Sequence, residues 1–151
     1  AVTPSPLAKE VRVKVGQRSF RVRVAATDSE REQGFQGVEA LAQDEGMLFV
    51  FPDVDLRIFW MKNCLVSLDI AFLDTEGQAV DLGTMRALPL RGGSESEAQY
   101  EERLWRAATT SSSPARFVLE LPAGALAEVG LKQGDLVELP CPFRRKGCSL
   151  P

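Results

Sequence analysis

A chain of 151 residues fits one domain, and 44% hydrophobic with 26% charged residues is ordinary for a globular protein with a core. A net charge of −3 gives no general attraction to nucleic acid or anionic lipid, and no apolar run approaches the roughly 20 residues of a membrane span. The chain has no His. This excludes serine–histidine catalysis within the chain and removes a frequent zinc ligand, so we expect neither a metal nor a cofactor.

The first part of the chain is predicted to contain a leader, a hairpin and a helix. Residues 1–9 are expected to be disordered because two prolines oppose regular structure. Residues 10–15 and 20–24 alternate strictly between apolar and polar side chains, which predicts two paired strands. Thr27 and Glu30 have the spacing of a capping box, so a short helix is predicted to begin there.

The middle of the chain consists of short apolar runs separated by turns, which predicts buried strands. These strands are predicted at 46–51, 58–61, 68–73 and 79–85. Lys62 and Asn63 form a polar pair directly after the apolar triplet Phe59–Met61. Polar groups at the mouth of an apolar wall suit a binding pocket, and they equally suit a hairpin turn.

Residues 86–113 interrupt this pattern and are predicted to form a surface insertion with one helix, whose Tyr100, Leu104 and Trp105 are candidates to face the protein. A further strand, helix and strand are predicted at 115–121, 123–129 and 136–139. The expected fold is mainly β (α+β). It is one domain over residues 10–139, with about eight short strands in a barrel-like or strongly bent sheet and two or three short helices.

Two cysteines lie close together in the tail at 140–151. A disulfide between Cys141 and Cys148 would close a short loop and contribute ~2–3 kcal/mol in the chain-entropy model. Free thiols in a reducing compartment are the alternative. The chain begins at Ala1 without Met, as either a mature terminus after signal cleavage or a trimmed one would. Together these features predict an exported protein that is periplasmic, on the cell surface or secreted.

Several strings of residues resemble the bacterial and archaeal domain of unknown function 192 family, also named UPF 0127. The matching strings are Arg31–Gly34, Glu45–Phe51, Phe59–Asn63, Leu68–Phe72, Pro114–Gly124 and Gly134-Asp135. They occur in the family's order over residues 10–139, and WMKN followed by LDI is a rare string. The resemblance implies a compact β-rich domain, often exported or lipid-anchored, without an assigned activity. Cys64 stands where the family commonly has Thr, which weakens any transfer of ligand specificity.

Five residues are candidates for ligand binding: Trp60, Lys62, Asn63, Asp69 and Arg31. Trp60 could stack on a planar ligand or belong to the core. Lys62 could clamp a carboxylate or phosphate, with Asn63 adding an amide contact, or it could be a solvated turn residue. Asp69 interrupts an apolar strand, so it could pair with a cation, cap backbone donors or take part in catalysis.

Three residues are candidates for acid–base catalysis without His, namely Asp69, Lys62 and Glu120. Glu120 lies between two leucines and should point away from their face of the strand. Cys64 is expected to be an inert thiol because its neighbours are apolar. The preferred function is binding of a small polar or anionic ligand, or of an extracytoplasmic protein. The alternatives are a cofactor-free enzyme acting on a carbohydrate or similar molecule, and a structural or assembly factor.

Overall fold

The computed structural model of the chain describes residues 9–141 and residue 143. These residues form nine strands and three short helices in one compact domain. In chain order the elements are β1 (Glu10–Val15), β2 (Arg18–Ala25), α1 (Asp28–Gln33), β3 (Glu45–Asp55), β4 (Ile58–Phe59), β5 (Leu68–Leu73), β6 (Ala79–Met85), α2 (Glu97–Arg106), β7 (Thr109–Thr110), β8 (Ala115–Pro122), α3 (Ala125–Val129) and β9 (Val137–Glu138).

Seven of the strands form one curled sheet in the order β6-β5-β8-β3-β2-β1-β9. The β2–β3 pair is parallel, and the other neighbours in this sheet are antiparallel. A bridge between Gln78 and Leu136 joins the two outer strands of the sheet near their ends. The sheet is therefore barrel-like, and the mainly β fold predicted from the sequence is confirmed.

Each face of the sheet carries its own hydrophobic core. In β8, Leu119 and Leu121 belong to a cluster inside the curl, whereas Val118 belongs to a second cluster on the outer face. All six residues of β5 are buried because both faces of this central strand are covered. Burial on both faces explains why β5 shows a nearly continuous apolar run in the sequence instead of an alternating one.

The outer core is covered by the segments that lie between the main strands. Phe35, just after α1, and Met61 with Cys64, just after β4, are buried against it. The insertion lies next to this cover, since β7 pairs with β4 through the partners Ile58 and Thr110. The outer layer therefore brings together segments that are distant in the sequence.

Some details differ from the sequence predictions. The strand predicted at 58–61 ends at Phe59, and β7 is not among the predicted strands. The third strand continues to Asp55, beyond the predicted end at Phe51. Tyr100 and Leu104 are buried as expected, but Trp105 is 52% exposed because it lies one position beyond the buried face of α2. The longest described helix has ten residues, and none of the described helices is long and apolar enough to cross a membrane.

Cys148 and the leader up to residue 8 lie outside the described residues, so the predictions for them are not tested.

Candidate functional site

A cavity of about 260 Å³ opens between the outer face of the sheet and the segments that cover it. Its lining comes from α1 and the residues after it, β3, β4, the segment at 60–64, α2 and β8. The lining residues are Arg31, Glu32, Gln33, Gly34, Phe35, Gln36, Phe49, Phe51, Ile58, Phe59, Trp60, Lys62, Cys64, Trp105 and Glu120. Aromatic walls with a few polar groups are typical of small-molecule sites.

Glu120 lies among the most deeply buried residues of this cavity and is only 4% exposed. Its position in β8 is opposite Met47 of β3 and Ile70 of β5, both of which belong to the outer core. Within the described part of the chain, no group forms a hydrogen bond or an ion pair with its carboxyl group. Among the described residues, every side-chain nitrogen or oxygen that is fully enclosed has a hydrogen-bond partner, so an oxygen without a partner cannot be fully enclosed. The carboxyl oxygens of Glu120 therefore contact the open space of the cavity.

The surroundings of Glu120 favour its neutral form. Burial raises its pKa to about 8 from the ordinary 4.5, because removal from water disfavours the charged carboxylate. A carboxyl group that is protonated near neutral pH can donate as well as accept a hydrogen bond. The aromatic cavity therefore contains a carboxyl group that can be either protonated or charged near physiological pH.

Cys64 lines the same cavity and is buried, with 6% exposure. Burial, with a smaller effect from the charge of Glu120, raises the pKa of its thiol to about 12. The thiol is therefore protonated at physiological pH and is a poor nucleophile. This agrees with the inert thiol that the apolar sequence context predicts.

Lys62 lies at the side of the cavity and is bound to the insertion. Its Nζ is 3.0 Å from Glu97 Oε1 and 3.4 Å from Glu101 Oε2, both on α2. The hydrogen bond with Glu97, followed by that with Glu101, raises the pKa of Lys62. The same Nζ lies 5.5 Å from the centre of the Trp60 ring. The ammonium group therefore connects the WMKN segment to α2.

Arg31 also lines the cavity, but its guanidinium is occupied by protein groups. Nη1 donates to the backbone oxygens of Ala26 and Val50 at 2.6 and 2.8 Å. Nη2 forms an ion pair with Asp28 at 2.5 Å. These contacts hold α1 against the middle of β3, so Arg31 shapes the wall of the cavity.

Two tryptophans form one side of the cavity. The rings of Trp60 and Trp105 are 4.3 Å apart at an angle of 30°. Deeper in the cavity, Phe59 makes an edge-to-face contact with Phe49 at 4.9 Å. Such contacts fix ring orientations and leave faces and edges for a ligand. The sequence predicted Trp60 here, but it did not predict that Trp105 of the insertion would join it.

Asn63 supports the site without lining the cavity. Its φ of 54° is left-handed, which Asn tolerates better than most residues. Its backbone N–H donates to the Tyr100 hydroxyl at 2.9 Å, and its carbonyl accepts from the Gly37 N–H at 2.9 Å. The turn at Lys62-Asn63 is therefore anchored to both α2 and the segment after α1.

Asp69 lies on the opposite face of the sheet from Glu120. Its carboxylate accepts hydrogen bonds from the Thr84 hydroxyl at 2.9 Å and from the backbone N–H groups of Gly124 and Leu126 at 3.0 Å. It borders a separate cavity of about 230 Å³. Asp69 therefore ties the start of α3 to the sheet. The structure does not bring Asp69, Lys62 and Glu120 together as one acid–base group.

The fold and the cavity define a single-domain, barrel-like β protein with an aromatic site on the outer face of its sheet. The sequence profile of the domain of unknown function 192 family, described as an uncharacterised ACR, matches residues 11–139. The chain therefore belongs to this family, as the resemblance in the sequence predicts.

Two solved structures are similar to this chain. One, from Sinorhizobium meliloti 1021, is described as a "putative transcription regulator". It is 31% identical, with a TM-score of 0.69 and coverage of 87% of this chain and 94% of the other. The other, from Novosphingobium aromaticivorans DSM 12444, is described as a protein of unknown function. It is 28% identical, with a TM-score of 0.72 and coverage of 92% and 91%. No protein of curated function matches the chain significantly.

Proposed function

We propose that this chain is an exported accessory domain that binds a small ligand in the cavity between Trp60, Trp105 and Glu120. The observation that carries this proposal is the Glu120 carboxyl group, which is buried, without a partner in the described part of the chain, and open to the cavity. Because its oxygens are open to the cavity, a ligand there can form the hydrogen bond or ion pair that no described protein group forms.

The walls of the cavity are organised before any ligand binds. Arg31 holds one wall through two backbone carbonyls, and Lys62 and Asn63 hold another through α2. Because these groups are already fixed, binding requires little ordering of side chains. This supports a binding site over an incidental gap between surface segments.

The geometry favours binding over acid–base catalysis. Asp69 faces the other side of the sheet, and the high pKa of Cys64 leaves a protonated thiol beside Glu120. Neither residue supplies the second acid or base that the enzymatic alternative requires. The remaining candidate, Lys62, is paired with Glu97 and Glu101, and these contacts raise its pKa and favour its charged form.

The third alternative, a surface for a protein partner, is supported by the exposed apolar side chains of Val54, Leu56 and Ile58. We prefer a small ligand because of the buried acid that opens to the cavity.

A thermal-shift screen tests the proposal with sugars, organic acids, amines and nucleotides. A ligand at ~100 times its dissociation constant stabilises by ~2.7 kcal/mol, which raises the melting temperature by several degrees in a domain of this size. Trp105→Ala removes an exposed wall of the cavity and should abolish the shift. Leu136→Ala is the matched control, because Leu136 is an equally exposed apolar residue outside the cavity.

The proposal predicts a ligand whose stabilisation survives in Leu136→Ala and disappears in Trp105→Ala. A screen without any stabilising compound would contradict it. Equal shifts in both variants would also contradict it, because the ligand would then bind elsewhere.

A further inference from the structure

We infer that the cavity selects an organic cation, a primary to quaternary ammonium group whose charge pairs with Glu120 and whose alkyl groups contact the aromatic walls. This inference rests on the proposed ligand-binding function and gives it a chemical class. It differs from the polar or anionic ligand expected from the sequence. That expectation depended on Lys62 and Arg31 being available to a ligand.

Both cationic side chains of the cavity already have anionic or carbonyl partners. Lys62 lies between Glu97 and Glu101, and Arg31 is bound to Asp28 and to two backbone carbonyls. An anion would have to displace these contacts. It would also meet the acidic side chains of Glu32 and Glu120 in the same lining. The two cations therefore do not form a receptor for a carboxylate or phosphate.

The group that lacks a partner is acidic. Glu120 is 96% buried, since its exposure is 4%, and nothing in the described part of the chain donates to it. The Cys64 thiol in the same lining is affected by the charge of Glu120, but it is protonated and only a weak donor. The carboxylate form of Glu120 pairs with a donor or a positive charge, and an ammonium group supplies either.

The walls around this acid are suited to cations. Phe49, Phe51, Phe59, Trp60 and Trp105 all line the cavity. The face of an aromatic ring attracts a cation, and the attraction is stronger where water is excluded. Aromatic rings around a carboxylate are the arrangement that recognises alkylated ammonium groups, because the rings contact the methyl groups while the acid balances the charge.

Proton release should accompany the binding of a permanent cation. The free carboxyl group is protonated below about pH 8, and pairing with a cation favours the carboxylate. Affinity should therefore weaken about tenfold for each pH unit below 8, and level off above it. The other charged or titratable groups that line the cavity are Arg31 and Glu32 on α1, and Cys64 and Lys62 after β4. Glu97 and Glu101 on α2 are paired with Lys62. A Glu120→Gln variant separates the contribution of Glu120 to the pH dependence of affinity from the contributions of these other groups.

Isothermal titration calorimetry with two molecules of the same shape tests the inference. Choline carries a quaternary ammonium group, and 3,3-dimethylbutan-1-ol is its neutral isostere. At pH 8.5 choline should bind at least tenfold more tightly than the alcohol, and its affinity should fall at pH 6.5. Glu120→Gln should weaken choline at least tenfold and remove the pH dependence. Glu76→Gln, which changes an exposed glutamate outside the cavity, should change neither.

Other results would overturn the inference. They are equal binding of the two isosteres, unchanged choline binding in Glu120→Gln, and tighter binding of benzoate than of choline. None of these contradicts a ligand pocket. If the wild type binds neither isostere, the cation inference fails, and the screen with the Trp105→Ala variant decides the broader proposal separately.

Discussion

Two buried carboxyl groups on neighbouring strands have opposite surroundings. Asp69 accepts three hydrogen bonds, two of them from backbone N–H groups. Glu120 has no such donor in the described part of the chain, and burial raises its pKa to about 8. A one-residue offset along the paired strands places the two groups on different faces of the sheet, with Ile70 and not Asp69 opposite Glu120. Asp69 therefore has a structural role, whereas the carboxyl group of Glu120 can bind a ligand in the cavity.

Glu120 should make the wild-type protein less stable as the pH rises. The folded protein keeps the Glu120 proton up to about pH 8, whereas the unfolded chain loses it near 4.5. The native state therefore holds more protons between these values. The contribution of the neutral acid is complete below about pH 4.5 and is lost as the pH rises through 8. The free energy of unfolding should fall by up to ~1.4 kcal/mol per pH unit in this window, relative to Glu120→Gln.

Urea denaturation of the wild type and Glu120→Gln between pH 5 and 9 measures this difference. The chain contains no His, so no histidine titration overlaps the window. Glu76→Gln should follow the wild type because Glu76 is exposed. Parallel curves for the wild type and Glu120→Gln would show that Glu120 does not titrate abnormally.

At the scale of the elements, the insertion is part of the site. Helix α2 contacts the WMKN segment through Tyr100 and Trp105, and through Glu97 and Glu101 to Lys62. Strand β7 pairs with β4, and the Ser111 hydroxyl accepts a hydrogen bond from the Arg57 N–H at 2.8 Å. The insertion therefore helps to position the walls of the cavity.

Tyr100→Phe should loosen this connection. Tyr100 is 1% exposed, and its hydroxyl is the partner of the Asn63 N–H. The phenylalanine variant keeps the ring but leaves this N–H without its partner, at a cost of about 1–2 kcal/mol. Urea denaturation should detect the loss, and hydrogen exchange at the Asn63 amide should accelerate. Glu102→Gln, on the exposed side of α2, should leave exchange at Asn63 unchanged. Unchanged exchange in Tyr100→Phe would show that α2 does not hold this turn.

The sequence predicts individual elements better than their pairing. Alternation in β1 and β2, the capping box before α1 and the apolar run of β5 are local signals, and each marks a real element. The position of β8 between β5 and β3 is a long-range property. Local patterns carry no information about which strands become neighbours.

The same reasoning applies to the site. Lys62 and Trp60 are conspicuous because a polar pair follows an apolar triplet, and Glu120 is conspicuous because it lies between leucines. The sequence does not reveal that Glu97 and Glu101 occupy Lys62, or that Trp105 covers Trp60, because these contacts join segments about 40 residues apart. Partners of a charged residue decide whether a ligand can use it. Those partners are set by the tertiary fold.

At the scale of the whole molecule, the candidate site is separate from the interior of the curled sheet. The inner core contains residues such as Phe20, Leu48 and Val137, whereas the cavity lies on the outer face. Gly46 in β3 lets this sheet close tightly, because a Cβ there would lie 2.5 Å from the Glu120 carbonyl oxygen. The sheet thus forms the floor of the cavity, and the outer segments complete its walls.

The oxidation state of the cysteines concerns the whole chain and its compartment. If the protein is exported, as we propose, the predicted disulfide between Cys141 and Cys148 would leave Cys64 as the remaining thiol. Cys64 is 6% exposed with a pKa of about 12, so the folded protein should resist alkylation. Intact mass spectrometry of protein from its native source should therefore show no adduct when folded. It should show one after unfolding, and three after unfolding with a reductant. The Cys64→Ala variant should show no adduct when folded, no adduct after unfolding, and two adducts after unfolding with a reductant. Three adducts without a reductant would contradict the disulfide and favour the reducing compartment.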